Sequence, residues 1–362
     1  MIFPFPEPQG DLWQYLAKTE KTVVMYGMGN GADKILAVLD RFGIEVADFF
    51  ASDGFVRGHS FHGKRVLSYT EVKEKYGAEN LIILLSFASS LPEVLSLFER
   101  VDTECELYAP DVPVCGEALF DFEFYKAHRE ELATVYSLLE DDESRRIFEC
   151  VLRYKLSGKL SDLRAVESAK DETYALLDAA SVTAYADLGA YNGDTIRELM
   201  SYAPRLSEAW AFEPDRRSFR KLSDFVEAID LPTVHTVNAA AWSEDTTLSF
   251  ADTGNRNAGA FAIGKQIEVA ARSLDSVLDG ARVDYIKYDV EGAEREAILG
   301  SKATISAHHP HLLVSIYHRS EDLFALPLLI HEHFPEYRLS LRRYPYVPAW
   351  DLNLICQSPK KP

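Results

Sequence analysis

A pattern of short β-branched strand, glycine turn and amphipathic helix occurs twice in this chain, at Thr22 and again at Val182. A turn of this kind takes a strand directly into a helix, and repeated strand–helix alternation commits a chain to parallel βαβ units. The first instance runs Thr22-Val23-Val24-Met25-Tyr26, then Gly27-Met28-Gly29-Asn30-Gly31-Ala32, then a helix over Asp33 to Phe42. Strands are predicted at Ile44 to Phe50, Asn80 to Phe87 and Glu104 to Ala109, with helices at Tyr69 to Tyr76 and Leu91 to Arg100. The second instance runs Val182 to Leu188, then Gly189-Ala190-Tyr191-Asn192-Gly193, then a helix through Met200.

Between the two lies Glu117 to Ala180, which has no strand pattern but carries Leu138, Leu139, Ile147, Phe148, Val151, Leu152 and Tyr154 at helical intervals. It reads as a helical connector packed on one or both neighbours, too apolar for a flexible linker. The expected organisation is residues 1–115 as a Rossmann-like unit, 116–180 as the connector and 181–362 as a second doubly wound unit. In this last unit Glu208 to Phe212, Thr233 to Asn238, Val283 to Val290 and His311 to Tyr317 are strands. Thr246 to Ala251 and Gln266 to Ala271 form an inserted antiparallel pair around a polar loop, Asp252 to Asn257. Tyr337 to Arg342 and Leu352 to Gln357 form a terminal antiparallel hairpin.

Composition narrows the partners. Lys plus Arg is 38 and Asp plus Glu is 57 over 362 residues, a net charge of −19. That balance disfavours phosphate backbones and anionic membranes, so no nucleic-acid partner is expected. Met1 to Gly10 lacks the basic and apolar regions of a secretory signal, and the apolar run Leu81 to Phe87 is too short to span a bilayer. Cys105, Cys115, Cys150 and Cys356 form no C-x-x-C pair, which fits buried thiols in a cytoplasmic protein.

The chemistry concentrates in the second unit. Asp187 closes the first strand, Gly189 and Gly193 permit a tight turn, and Asp194 follows; no P-loop lysine is present. Acids at both ends suit a cationic amino acid better than a pyrophosphate. Glu213 ends the next strand, where a carboxylate takes both hydroxyls of a ribose. Together these describe a site for S-adenosylmethionine. Asp289 and Glu291 follow the fourth strand and His318 the fifth, on the edge where open α/β sheets bind ligands. Each is a candidate to position an acceptor or take its proton, His318 on the strength of an ordinary pKa near ~6.5. Asp289 with Glu291 could also ligate a divalent ion. Glu294 reads as a salt-bridging or capping residue, and His308, His309 and His311 as a solvated turn.

These segments carry a resemblance. Asp187 through Thr195, Phe212-Glu213-Pro214-Asp215, Asn238-Ala239-Ala240, Ser273-Leu274-Asp275 and Ile286 through Glu294 resemble, in order, the class I methyltransferases of the FkbM family. Ile316 through Leu323, with Pro327 and Arg342-Arg343, is similar to one subgroup. The resemblance implies a class I methyltransferase sheet and methyl transfer from S-adenosyl-L-methionine to an oxygen of a sugar or natural product. It implies a cofactor site of Asp187, Gly189, Tyr191, Asn192, Gly193, Asp194, Thr195, Glu213, Asn238 and Asp289, with Asp289, Glu291 and His318 as catalytic residues. The implied acceptor is a small molecule, a sugar or nucleotide sugar of polysaccharide or glycoconjugate assembly; a homo-oligomer is compatible with it.

The N-terminal turn fits G-x-G-x-x-G/A in the right context, and Asp53 falls near the place of a ribose-binding acid. The stretch around Asp53, Gly58, Gly63 and Val66 resembles Rossmann-like domains of sugar-modifying enzymes. A scaffold or nucleotide-sugar role is preferred there over a working NAD site, since no hydride-transfer site follows. An NAD-dependent oxidoreductase and a non-catalytic scaffold are the rival functions.

Overall fold

The computed structural model describes residues 10–56, 58–252 and 265–359. Five strands form the first sheet: β1 (Thr22–Tyr26), β2 (Asp48–Ala51), β3 (Leu67–Ser68), β4 (Leu81–Leu85) and β5 (Glu106–Tyr108). Their order is β3-β2-β1-β4-β5 and every pairing is parallel. The order reverses between β1 and β4, which opens a crevice at their carboxyl ends. Helix α1 (Asn30–Arg41) starts three residues ahead of the predicted amphipathic stretch, because Gly29 at φ 91° turns the chain directly into it. The expected strand Ile44 to Phe50 is trimmed to β2, since the Ile44 N–H still closes the turn after the helix by donating to the Leu39 carbonyl at 3.0 Å and pairing begins only at Asp48.

The connector is helical, over Phe122–Ala127, Arg129–Leu138, α2 (Asp142–Ser157), Leu160–Arg164 and Lys170–Leu176. Helix α2 belongs to both cores. Val151, Leu152 and Leu156 pack with Leu339 and Leu341 of the second sheet, while Tyr154 packs with the first sheet's Val24 and Ile83. The Tyr154 hydroxyl donates to the Ala109 carbonyl at 2.9 Å, and Lys155 pairs with Asp111 at 2.8 Å in the interior. Burying an ion pair costs desolvation, so this one fixes an orientation more than it adds stability.

The second sheet has seven strands: β6 (Ala184–Leu188), β7 (Glu208–Phe212), β8 (Thr233–Val237), β9 (Tyr285–Tyr288), β10 (His311–Ser315), β11 (Arg338–Arg343) and β12 (Leu352–Gln357). Their order is β8-β7-β6-β9-β10-β12-β11, with β12 antiparallel to both neighbours. The terminal hairpin therefore folds its last strand inward, between β10 and β11. The inserted pair is present as Thr246–Asp252 against Lys265–Arg272, with Ala240–Ala241 completing a small sheet. Residues 253–257 of the expected polar loop lie outside the described residues. The two α/β sheets and the helical connector are the architecture the sequence pattern requires.

Candidate active site

The site is built where β6 leaves the sheet. Gly189 and Ala190 both donate their N–H to the Phe212 carbonyl, at 3.1 and 2.8 Å. Gly189 stands at φ +93°, and a Cβ there would lie 1.9 Å from the Asp289 carbonyl oxygen. Only glycine fits, so the loop after β6 lies directly on the loop after β9. Helix α3 (Asp194–Tyr202) follows, with Asp194 and Thr195 opening its first turn and Gly193 as its N-cap. The Thr195 hydroxyl donates to the Asp187 carboxylate, and the buried Asn192 Oδ1 has no hydrogen-bond partner among the described residues.

Glu213 ends at the same place from the neighbouring strand. Its carboxylate accepts the Tyr191 N–H at 2.9 Å and the Asp215 N–H at 2.8 Å. Burial pushes its pKa up to about 7 against the pull of those two N–H groups. Asn238 braces the turn, donating to the Glu213 carbonyl at 2.8 Å and to that of Pro214 at 3.3 Å.

Under the glycine turn runs a charge relay that sequence reading missed. Lys287 reaches from β9 to Asp187 Oδ1 at 3.5 Å, Asp289 Oδ2 at 3.3 Å and the Gly189 carbonyl at 3.4 Å. Burial opposes the Lys287 charge, but Asp289 and Asp187 outweigh it and raise its pKa. Burial raises Asp187, against Lys287 and Thr195. Asp289 is held below the ordinary range: burial acts upward, and Lys287 and His318 overcome it. A lysine inside a strand that is otherwise buried was the available signal.

Beyond Asp289 the fourth and fifth strand ends meet. His318 is 1% exposed, with Nε2 3.6 Å from both Asp289 Oδ1 and Glu291 Oε2. Its Nδ1 is 2.9 Å from Glu294 Oε1, and Glu294 is equally buried. Glu294 does cap, accepting the Val290 N–H at 2.9 Å, and it does form a salt bridge, but its partner is His318. Burial would lower the His318 pKa; Glu294, Glu291 and Asp289 together raise it to about 10. The ring is a cation at neutral pH, unlike the ordinary imidazole on which a general-base role was argued. Burial raises Glu291, with Asp289 adding to it and His318 opposing.

The first unit also reaches this edge. The Cys115 N–H donates to the His318 carbonyl at 2.8 Å, and its Sγ is 3.0 Å from the Glu291 carbonyl. Lys34, on α1, donates to the carbonyls of Pro113 and Val114 at 3.2 and 2.6 Å; burial lowers its pKa, with Cys115 and Glu291 opposing. Ser89, beyond β4, exchanges two backbone hydrogen bonds with Val347 in the β11–β12 loop, at 2.9 and 3.0 Å. That loop carries Trp350, stacked on Tyr317 at 6.5 Å and tilted against Tyr346 at 5.7 Å between ring centroids. The Tyr317 hydroxyl stands 3.3 Å from Asp289 Oδ1.

The other sequence candidates go elsewhere. His309 is 3.6 Å from Glu336, and His311 accepts the Ser358 N–H at 3.2 Å, so these histidines do not converge. Asp53 accepts the Thr70 N–H and hydroxyl at 3.0 and 2.9 Å, which ties it to the following helix. All four cysteines are free thiols. No helix among the described residues is long and apolar enough to cross a membrane.

Residues 187–348 match the profile described as the methyltransferase FkbM domain. Among solved structures, the methyltransferase FkbM from Methylobacillus flagellatus KT superposes over 98% of this chain and 95% of its own, with a TM-score of 0.71 and 19% identity. The shared fold thus includes the first sheet and the connector. Lesser likenesses include an rRNA methylase from Streptococcus thermophilus (TM-score 0.36, 11% identity, 54% of this chain and 99% of that one). Another is fibrillarin from Aeropyrum pernix in complex with natively bound S-adenosyl-L-methionine (TM-score 0.33, 12% identity, 52% of this chain and 74% of that one). No curated protein matches the chain.

Proposed function

We propose, for a chain whose residues 187–348 match the methyltransferase FkbM domain profile, methyl transfer from S-adenosylmethionine to a hydroxyl of a sugar or nucleotide sugar, in polysaccharide or glycoconjugate synthesis. The observation that carries the reading is one continuous edge. A glycine turn and a buried ribose-type carboxylate at Glu213 adjoin Asp289, Glu291 and His318, with Tyr317 and Trp350 beside them.

The residues present fit the cofactor. Glu213 has oxygens for a ribose, the orphaned Asn192 Oδ1 seeks a donor, and Asp187 with Asp194 answers a cationic amino-acid end. When bound, the cofactor supplies a methyl group on a positively charged sulfur. The chain's own part is to hold the acceptor oxygen in line with that methyl and let its proton go. Asp289 stays ionised and can accept the hydroxyl hydrogen; the proton then leaves over the Asp289–Glu291 edge to solvent. The cationic His318 keeps those two carboxylates in place. Rings next to carboxylates suit a sugar, whose C–H face packs on aromatic carbon while its hydroxyls donate to charged oxygens.

The test is transfer of label from methyl-labelled cofactor to a panel of nucleotide sugars and glycan fragments. Methylated sugar is expected. Label reaching none of them, or only nitrogen acceptors, overturns the sugar-hydroxyl assignment.

A further inference from the structure

We propose that Asp351 binds the acceptor, its carboxylate taking a hydroxyl other than the one that is methylated, an inference that rests on the methyl-transfer reading above. The argument starts from where the chain puts this residue. Strands β10 and β12 run antiparallel with Ser315 opposite Asn353, and the Ile316 N–H donates to the Leu352 carbonyl at 3.1 Å. The same register, carried one residue further, sets Asp351 across from Tyr317. The Tyr317 hydroxyl stands 3.3 Å from Asp289 Oδ1, so Asp289, Tyr317 and Asp351 share one edge of the sheet.

The loop that delivers Asp351 is fixed at several points. The Tyr344 N–H donates to the Asp351 carbonyl at 3.1 Å, and Asn353 Nδ2 donates to the same oxygen at 3.0 Å. Arg343, fully buried, donates to the carbonyls of Tyr346 and, at 2.9 Å, Leu163. Asp351 itself stands at φ 57°, a left-handed conformation that Asp and Asn tolerate better than other side chains. Asparagine or glycine would serve this turn equally well, so the backbone does not account for the charge.

The described residues around it do not account for the charge either. Burial, with Asp289 adding to it, raises the Asp351 pKa to about 6, against the pull of Lys170, Lys287 and Arg343. Each of these cations is committed elsewhere: Lys170 to Glu198, Lys287 to Asp187 and Asp289, Arg343 to its two carbonyls. Among the described residues no side chain or N–H donates to the Asp351 carboxylate. An ionised carboxylate only accepts hydrogen bonds, and one that is mostly buried without donors costs free energy. A hydroxyl of a bound sugar supplies the missing donor. The preceding residue, Trp350, stacks on Tyr317 and offers the sugar's C–H face a wall beside that carboxylate. The two aspartates then divide the work. Asp289, held ionised by Lys287, faces the reacting hydroxyl, and Asp351 grips another, which fixes the hydroxyl that meets the methyl group.

The test runs the full-length parent, Asp351→Asn and a control, Asp279→Asn, which alters an exposed aspartate in the same left-handed conformation. The substrates are methyl-labelled S-adenosylmethionine and the member of the nucleotide-sugar and glycan panel that the parent methylates fastest. Asp351→Asn should raise the acceptor KM by about tenfold or more, as loss of a charged hydrogen-bond partner does. It should keep kcat within about threefold and leave S-adenosylhomocysteine affinity unchanged in calorimetry; Asp279→Asn should change none of these. Folding lifts the Asp351 pKa from 3.8, so stability is lost as pH rises through 6 and the neutral side chain escapes that loss. Asp351→Asn should therefore melt no lower than the parent at pH 8. One monodeoxy analogue of the acceptor should lose as much with the parent as the substitution does, and little more with Asp351→Asn, which identifies the hydroxyl in contact. An unchanged KM, or deoxy effects that simply add to that of the substitution, overturns the proposal and leaves methyl transfer standing. A lower melting temperature with weaker cofactor binding makes Asp351 structural and also overturns it. Label reaching no acceptor with the parent sinks the methyl-transfer reading and the proposal together.

Discussion

The chain contains two glycine turns of the same construction and very different chemistry. Each follows the first strand of its sheet, and each presses glycine against the backbone of an adjacent loop. A Cβ on Gly31 would lie 2.2 Å from the Ser86 carbonyl oxygen, and one on Gly189 would lie 1.9 Å from that of Asp289. What differs is the charge beneath. Around Gly189 stand Asp187, Glu213, Lys287 and Asp289, all buried or half-buried. Beside the first turn Phe87 packs against Gly27, Lys34 on the helix that follows is spent on the carbonyls of Pro113 and Val114, and Asp53 is spent on Thr70. Glycine spacing reports the turn; a ligand site needs the charged groups that the turn brings together.

The largest expected effect breaks both turns at once. Gly31→Ala and Gly189→Ala each drive a methyl group into a carbonyl oxygen, and Gly189 adds a left-handed φ, so each should cost about 3–5 kcal/mol. Chemical denaturation would measure that loss. Where folded protein remains, Gly31→Ala should bind S-adenosylhomocysteine as the parent does, whereas Gly189→Ala should not bind measurably. Equal loss of binding in both would mean that the first turn also serves the cofactor.

Glu213 sharpens the contrast. Its folded pKa of about 7 lies above the ordinary 4.5, so its charge weighs against folding: its favourable contribution is complete below pH 4.5 and is lost as pH rises through 7. Glu213→Gln should therefore raise the apoprotein's melting temperature at pH 8, by the equivalent of about 1–3 kcal/mol, and leave it nearly unchanged at pH 4.5. The same variant should bind S-adenosylhomocysteine at least tenfold more weakly, since a charged hydrogen-bond partner is worth ~1.5–3 kcal/mol. A variant that melts lower at pH 8, or binds normally, would remove Glu213 from the ribose.

In the unmodified protein the same carboxyl sets a pH dependence. Ribose hydroxyls need the ionised form, about 9% present at pH 6 and about 91% at pH 8 for a pKa near 7. Calorimetry should find S-adenosylhomocysteine about tenfold tighter at pH 8 than at pH 6. A flat profile would mean that another group carries the ribose.

How much of this was legible follows from where the information sits in the chain. Asp187, Glu213 and Asp289 could be read because each ends a strand, and parallel strands in register deliver their ends to one edge. The two sheets, the connector and a terminal hairpin followed from alternation and helical spacing, whereas the inward turn of the hairpin's last strand did not. The state of His318 could not be read, because it depends on Glu294, Glu291 and Asp289, which only the sheet places around it. Lys34 and Cys115 were equally hidden: they come to the Glu291 edge from the first unit, through contacts with no local pattern. The Glu294 capping role was legible, but its histidine partner lies on a different strand end and was not.

The smallest expected effect lies at Asp53, where the first turn would have to show its own function. Asp53 accepts two hydrogen bonds from Thr70, so Asp53→Ala should cost about 0.5–1.5 kcal/mol, read by denaturant unfolding. It should leave S-adenosylhomocysteine affinity unchanged, and neither parent nor variant should bind NAD in calorimetry. If the parent does bind NAD and Asp53→Ala abolishes it, the carboxylate leaves Thr70 for a ribose. The two glycine turns would then be alike in chemistry as well as in construction.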